Sequence, residues 1–445
     1  MANMNSISRR GFLKGSAAAT AAVAVPYVVP SSVIGADGAT APSERIVVGA
    51  IGVGPQGTGV MGNFLGQKDC VVVAVCDVKS NVLEEKKNLV NAHYKNQDCK
   101  AYGDFRELLA RPDIDAVSIA TCDHWHVLTA LHAAKAGKDM YVEKPLGVCL
   151  AEEQALRRAI KRYGRIFQFG TQQRSDAQFR QACELVRNGK IGKLHTIRVW
   201  SPGSSQGGDP TPVPVPEWLN YDMWLGPAPF TPYTKDRCSN ALWWFIYDYA
   251  VGFIAGWGIH PVDIALWGGG DLTATNCEVA GTGVFPKEGV ANTSMNWDVK
   301  LKYDSGVTME FTGDPFPAEW AKRYGRTTSH GTAFEGDAGW VHVDREGINA
   351  SDKKLLEWRP GPNDKPIYKS THHVRNLLDC IKSRAATVCP IDAAVAGDIV
   401  CQISDIATRV GGKLRWDAKA EKFVGNDDAN RYLTRVMRSP WTVNI

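Results

Sequence analysis

The chain has 445 residues, 44% hydrophobic and 22% charged, with a formal net charge of +4. This is the composition of a soluble globular protein with room for two domains beyond any targeting segment. Arg9, Arg10 and Lys14 supply three of the positive charges before residue 36, so the remainder is near neutral, which excludes a general pull toward nucleic acid or an anionic membrane.

The first predicted element is a targeting segment. Ser8-Arg9-Arg10-Gly11-Phe12-Leu13-Lys14 precedes an Ala/Val-rich stretch from Ala17 to Val29, interrupted by Pro26. That stretch is too short and too mild to span a bilayer stably, but it suits a removable signal. The arginine pair and its followers match the twin-arginine pattern. Residues 1–36 are therefore expected to be a signal, cleaved near Ala36, and 37–43 a linker. The expected partner is the twin-arginine machinery, and the expected location is the periplasm or another exported position. That route moves folded proteins, so a cofactor bound inside the cell can leave with its chain. The eleven cysteines are scattered, with no Cys-x-x-Cys pair. No metal site and no disulfide framework is expected from them, while one or two disulfides outside the cytoplasm are left open.

Ile46 to Ile51 is a continuous apolar run of strand length, and Gly52-Val53-Gly54-Pro55-Gln56-Gly57 follows at once. Thr58 to Leu65 opens a helix, and Cys70 to Cys76 is a second buried strand that ends in Asp77. This is the unit that cradles a dinucleotide. Gly52 permits the tight turn, Gly54 lets backbone approach the pyrophosphate, and Gly57 lets helix and strand pack closely. Pro55 and Gln56 lie in the same loop, and the amides that open the helix face the phosphates. With 43 glycines in the chain, chance alone yields the bare Gly-x-Gly-x-x-Gly pattern ~0.4 times, so the flanking strand, helix and Asp77 carry the specificity. A carboxylate at Asp77 accepts from the ribose hydroxyls and repels a 2′-phosphate, which favours NAD over NADP.

The alternation continues with strands at Asp115 to Ala120 and Met140 to Val142, and helices at His124 to Ala136 and Ala151 to Tyr163. Repeated strand–helix units with short links predict a parallel, doubly wound sheet. Glu143-Lys144-Pro145-Leu146-Gly147 stands at the carboxyl end of a strand, where ligands bind in open α/β sheets. A lysine there reaches the hydroxyl of a bound substrate. The nucleotide domain is placed at 44–168 and a substrate domain at 169–445.

In the second half, Leu194 to Trp200 and Glu278 to Val284 read as strands, and the Gly/Pro/Ser-rich segment from Ser201 to Pro216 as an irregular loop near the cleft. Met295, Trp297, Val299, Leu301 and Tyr303 alternate with polar residues, turn at Asp304-Ser305-Gly306, and resume at Val307, Met309 and Phe311, which is a hairpin. A second hairpin is expected around Gly336-Asp337, and helices near Val374 to Ser383 and Ala393 to Val410. The predicted fold class is a Rossmann-type α/β domain followed by an α+β domain with a large, open, mainly antiparallel sheet. Trp243, Trp244, Tyr247, Tyr249 and Trp257 cluster near His260. Such rings suit the apolar faces of sugars and equally fill a core.

The nucleotide loop, the Glu143-Lys144-Pro145 triplet and Thr121-Cys122-Asp123-His124-Trp125-His126 together resemble the Gfo/Idh/MocA oxidoreductases. Gly170-Thr171-Gln172-Gln173-Arg174-Ser175, Trp224-Leu225-Gly226-Pro227 and Gly258-Ile259-His260-Pro261-Val262-Asp263 extend the resemblance over nearly all of 44–445. It implies that Lys144 positions substrate and stabilises developing alkoxide. It also implies that Thr121, His126 and Glu143 border the cofactor, and that His260 is the base. Arg174, Asp248, Trp257 and Asp263 are the substrate-binding candidates, with Arg174 suited to a substrate group or to a structural ion pair. A homodimer or homotetramer is implied as well. The sequence departs from the family in one place. Many relatives carry Asp four residues before the His, and here that position is Gly256. Asp263 or Asp248 would have to serve instead, and Pro261 disfavours helix at His260.

The resemblance implies an exported NAD-dependent oxidoreductase acting on a secondary alcohol of a sugar or cyclitol derivative, with a tightly held, internally recycled cofactor. Two alternatives stand beside it. One is an NAD-dependent glycosidase or lyase working through a transient 3-keto sugar. The other is an NAD- and sugar-binding protein without turnover.

Overall fold

The computed structural model describes residues 41, 44–325 and 328–444. The expected signal, 1–36, and most of the expected linker, 37–43, lie outside them. From Ile46 onward the chain forms one compact unit built on two sheets.

The first sheet has six parallel strands: β1 (Ile46–Ile51), β2 (Cys70–Cys76), β3 (Lys100–Tyr102), β4 (Ala116–Ile119), β5 (Asp139–Val142) and β6 (Phe167–Phe169). Their order is β3-β2-β1-β4-β5-β6. The order reverses between β1 and β4, which opens a crevice at the carboxyl ends of those strands. The strands read as unbroken apolar runs because helices cover both faces; Val48, Val75 and Val117 are fully buried. Burial of each such valine stabilises the fold by about 1.5–3 kcal/mol. A helix from far downstream, His373–Ser383, completes one face, with Val374, Leu377 and Leu378 packed among Val72, Val75 and Tyr141. Its Arg375 pairs with Asp69 at 2.5 Å.

The second sheet has nine strands. β7 (Leu194–Ser201), β8 (Cys277–Val284), β9 (Asn296–Tyr303), β10 (Thr308–Gly313) and β11 (Gly331–Gly336) come first in the chain. β12 (Gly339–Asp344), β13 (Gly347–Ala350), β14 (Lys413–Asp417) and β15 (Lys422–Phe423) follow. Their order is β13-β12-β11-β7-β10-β9-β8-β14-β15. β7 and β10 run parallel, and every other neighbouring pair is antiparallel. In β9, Trp297, Val299, Leu301 and Tyr303 are buried and the residues between them face outward, as their alternation predicts. The helices Ile259–Gly269 and Ile391–Val410 pack against this sheet.

One expectation is corrected, and one point left open is answered. The Ile259–Gly269 helix contains His260 and Pro261, although a residue before proline is biased away from helix. Pro261 falls in the first turn, where backbone N–H groups have no partner to lose, so its ring is tolerated. The disulfide question is also answered: all eleven cysteines are free, and all but Cys122 are buried. No described helix is long and apolar enough to cross a membrane.

Candidate active site

A cavity of about 320 Å³ opens at the crevice of the first sheet. Gly52, Gly54, Pro55, Gln56, Asp77, Thr121, His126, Glu143 and Lys144 all line it. These residues come from the ends of β1, β2, β4 and β5, so strand order alone gathers them.

The loop after β1 is shaped by backbone. Gly52 has φ +75°, and a Cβ there would lie 2.6 Å from the backbone of Ala120 and Thr121. A Cβ on Gly57 would sit 1.8 Å from the Gly52 carbonyl, which closes the turn against the helix Pro55–Leu65. Above Gly54 there is open space, with nothing within 4 Å. Asp77 holds the loop from the next strand: its carboxylate accepts from Val53 N at 3.0 Å and from Lys79 N at 3.0 Å. Burial raises its pKa, while these amides oppose the rise. Uncovered backbone at a helix start, faced by a carboxylate at a strand end, fits a dinucleotide.

Glu143 ties that loop to β5. It accepts from Gln56 Nε2 at 2.9 Å, Tyr141 OH at 3.1 Å and Lys144 N at 3.2 Å. His126 ties β5 to the helix Asp123–Lys135: Nδ1 lies 2.7 Å from the Pro145 carbonyl and Nε2 lies 3.1 Å from the Thr121 carbonyl. Burial lowers its pKa to about 4, so at pH 7 the neutral ring has one N–H to give to one of these two carbonyls. Beyond Lys144, the loop is anchored by Asp398 of the Ile391–Val410 helix, which accepts from Leu146 N. Burial raises the Asp398 carboxyl to about 8.

Lys144 Nζ donates to the Gly256 carbonyl at 3.2 Å and lies 5.4 Å from the Trp244 ring. The position where many relatives carry a carboxylate thus still meets the lysine, but through its backbone. His260 follows in the adjacent helix. It is 3% exposed, does not line the cavity, and its Nδ1 has no hydrogen-bond partner. Burial drives its pKa well down, reinforced by the charges of Lys144 and Arg345. Trp257 stands edge-on to His260 at 5.5 Å, with the Arg345 guanidinium 4.7 Å from the centroid of the Trp257 ring.

The remaining candidates are elsewhere. Arg174 and Asp263 hold each other in a buried two-pronged pair at 2.8 and 2.7 Å. Burial alone would lower the Arg174 pKa, but the Asp263 charge outweighs it and raises it. Asp248 borders a separate cavity with Glu152, Tyr247 and Arg435. The aromatic cluster divides likewise. Trp243 and Trp244 line the first cavity, Tyr247 lies between Arg409 and Arg435 at 3.8 and 4.0 Å, and Tyr249 is core.

Two residues at this site escaped the sequence reading. Asp123 lines the cavity; its signal was its place in the Thr121–His126 motif, at the start of a helix. Asp398 gave no signal, because only the fold brings it to the Lys144 loop.

Comparison with known proteins follows the same division of the chain. A family model for an oxidoreductase NAD-binding Rossmann fold, Gfo/Idh/MocA, matches residues 46–171, and the family's C-terminal alpha/beta domain matches 199–443. A twin-arginine translocation signal matches 6–26. The chain is 33% identical over 168 residues to a myo-inositol 2-dehydrogenase of Thermotoga maritima, covering 38% of this chain and 47% of that protein. It is 35% identical over 167 residues to glycosyl hydrolase family 109 protein 2 of Shewanella sp. (strain ANA-3), covering 34% and 36%. The chain therefore spans about half, or less, of the length of the curated relatives it matches. Among solved structures, the WlbA dehydrogenase of Bordetella pertussis, in complex with NADH and UDP-GlcNAcA, aligns with a TM-score of 0.61 at 14% identity over 83% of this chain and 98% of that one. The aldose–aldose oxidoreductase of Caulobacter crescentus aligns with a TM-score of 0.59 at 19% identity over 83% and 99%. These two share the fold.

Proposed function

Because this chain belongs to the Gfo/Idh/MocA oxidoreductase family and carries a twin-arginine signal, we propose that it is an exported, NAD-dependent oxidoreductase of a sugar or cyclitol derivative. It would oxidise a secondary alcohol and hold its dinucleotide tightly enough to recycle it in place. The division into a nucleotide-binding part at 44–168 and a substrate-binding part at 169–445 belongs to the same reading, as does a periplasmic location. The observation that carries it is the single cavity in which the glycine loop, Asp77 and Lys144 meet.

Within that reading, Gly52, Gly54 and the helix-start amides receive the pyrophosphate. Asp77 takes the ribose hydroxyls, and its negative charge disfavours a 2′-phosphate, so the cofactor is NAD. A bound nicotinamide would supply hydride acceptance and return at its C4 carbon. Lys144 holds the substrate oxygen and stabilises charge that develops on it. His126 and Glu143 keep Lys144 oriented by fixing the loop on either side of it. His260, kept neutral by burial and with Nδ1 free of any hydrogen-bond partner, is the base of this reading. Arg174, Asp248, Trp257 and Asp263 are less favoured as direct substrate contacts than in the sequence reading, because each has a protein partner or lies at another cavity.

A second reading is supported by Gly256. Without a side chain there, the proton path of an inositol dehydrogenase does not transfer simply, and redox-assisted glycoside cleavage with no net NADH becomes a rival. The test is to purify the exported form, dialyse it, and record nicotinamide absorbance. Retained nucleotide, reduced on addition of a free sugar or cyclitol, supports the first reading. Release of free sugar from an aryl glycoside without net reduction supports the second. Retained nucleotide with neither change supports a binding protein without turnover. A mature protein empty of nucleotide and unable to take it up would overturn all three.

A further inference from the structure

The first cavity has an outer wall that the nucleotide half does not supply. Cys238, Asn240, Trp243 and Trp244 line it together with Gly52, Asp77 and Lys144. Two contacts place the ends of this segment on opposite sides of the crevice. At one end Lys79 Nζ, just past β2, donates to the Cys238 carbonyl at 3.0 Å. At the other the Trp244 ring lies 5.4 Å from Lys144 Nζ, just past β5. β1 and β4 stand between those two strands, so three strand spacings, about 14 Å, separate their ends. Residues 238–244 therefore cross the crevice as a strap, from the side of Asp77 to the side of Lys144.

The strap is fastened unevenly. Cys238 and Trp243 are buried near its ends, while Asn240 and Ala241 between them are exposed. Among the described residues, its other hydrogen bonds stay within 236–246. Ser239 N meets the Asp236 carbonyl at 2.9 Å, and the Ser239 carbonyl takes Leu242 N and Trp243 N, both at 3.1 Å. Lys79 Nζ is thus the one described donor that ties the strap to the nucleotide half. The post it reaches from is fixed. Its own amide is held by Asp77 at 3.0 Å. On either side of it, Ser80 N meets the Trp218 carbonyl at 2.8 Å, and the Val78 carbonyl takes Asn220 N at 3.0 Å.

We propose that residues 238–244 form the outer wall of the dinucleotide site and that Lys79 is the positioning residue that latches them shut, so that cofactor neither enters nor leaves until this bond opens. A hydrogen bond from an ammonium is stronger than one between neutral groups, and a wall that must open first slows exchange in both directions. A protein exported with its nucleotide needs that slowness, since the tightest equilibrium grip still loses cofactor if exchange is fast. The latch rests on the reading that this cavity holds the dinucleotide, and on nothing about the substrate.

The test loads the mature protein with NADH and follows uptake and release by energy transfer from tryptophan to the nicotinamide. In Lys79→Met both rates should rise by at least about tenfold, as expected for one lost hydrogen bond from a charged donor, while Kd changes little. Lys79→Arg keeps a cation of similar reach and should restore slow exchange. Ala241 does not line the cavity, and Ala241→Gly should speed both rates by about two- to fivefold through added backbone freedom; it decides the matter if Lys79→Met does not fold. Release that rises without uptake, with Kd weakened to match, would make Lys79 a direct contact of the nucleotide and overturn the latch. Rates that stay unchanged would overturn it as well. Hydrogen exchange of the 238–244 amides reads the same opening without nucleotide: faster exchange in Lys79→Met supports the latch, and equal exchange overturns it. A protein that takes up no NADH would therefore sink the functional reading, while the latch is still judged by its amides.

Discussion

The nucleotide loop and the segment from Gly252 to Asp263 are built in opposite ways. In the loop, backbone does the work. Gly52, Gly54 and Gly57 are neighbours in sequence, and the atoms that crowd a Cβ on Gly52 or Gly57 belong to the loop itself or to Ala120 and Thr121. In the second segment, the polar groups find partners far along the chain: the Gly256 carbonyl meets Lys144, 112 residues away, and Asp263 meets Arg174, 89 away. A site made of adjacent backbone survives as a pattern in the sequence. A site made of distant side chains exists only after folding.

The sharpest way to break this contrast is at the loop. Gly57→Ala places a Cβ 1.8 Å from the Gly52 carbonyl, which no rotamer relieves. We expect a loss of about 3 kcal/mol or more, with nucleotide binding abolished. Gly54→Ala meets nothing within 4 Å and should cost about 1 kcal/mol through its weaker helix cap, yet weaken nucleotide binding by filling the approach. Thermal unfolding and bound-nucleotide absorbance separate the two. Equal stability of both variants would show that the loop is not defined by backbone closure.

Next comes the buried pair. Asp263→Ala leaves the Arg174 guanidinium without its partner in the interior, which costs about 3–5 kcal/mol. The apolar double replacement Arg174→Met with Asp263→Leu should recover most of that. If instead the single variant keeps its unfolding temperature and raises only KM, the pair belongs to the substrate and the contrast fails.

Legibility followed the same line. The strands Ile46–Ile51 and Cys70–Cys76, and the hairpin of β9 and β10, could be read from apolar runs, alternation and a turn, because each is encoded within a few residues. So could the set of residues that line the first cavity, because they end neighbouring strands of one sheet. Arg174 and Asp263 were both singled out as candidates, but nothing in the sequence says that they face each other. Asp398 was silent for the same reason: its link to Leu146 spans 252 residues. Pro261 misled because in a first turn its ring takes away no helical hydrogen bond, so the helix forms despite the bias on the residue before it.

Titration gives a smaller, graded test. Burial holds His124, His126 and His373 near 4, below the ordinary histidine value. Unfolded chains take up those protons first, so stability should fall as pH drops from about 6.5 toward 4. Asp398 works in the other direction. Its folded pKa is raised to about 8 by burial, so its favourable contribution is complete below about 4 and is lost as pH climbs to 8. Asp398→Asn should therefore raise the unfolding temperature more at pH 9 than at pH 5. A gain independent of pH would mean that Asp398 is not buried as an acid.

The smallest effect probes the junction between the two regions. A Cβ at Gly256 would have Phe253 Cδ1 as its nearest neighbour, at an ordinary 3.7 Å, so Gly256→Asp is sterically open. The position is buried, and a lone carboxylate there would be expensive. Its one ready cation is Lys144, already 3.2 Å from the Gly256 carbonyl. The substitution should therefore change stability little while Lys144 is present, and more in Lys144→Met. The coupling energy of the double-mutant cycle should be about 1 kcal/mol. A cycle with zero coupling would mean that the lysine cannot turn from a backbone carbonyl to a side chain at the same residue, and that the glycine marks a fixed contact rather than an exchangeable partner.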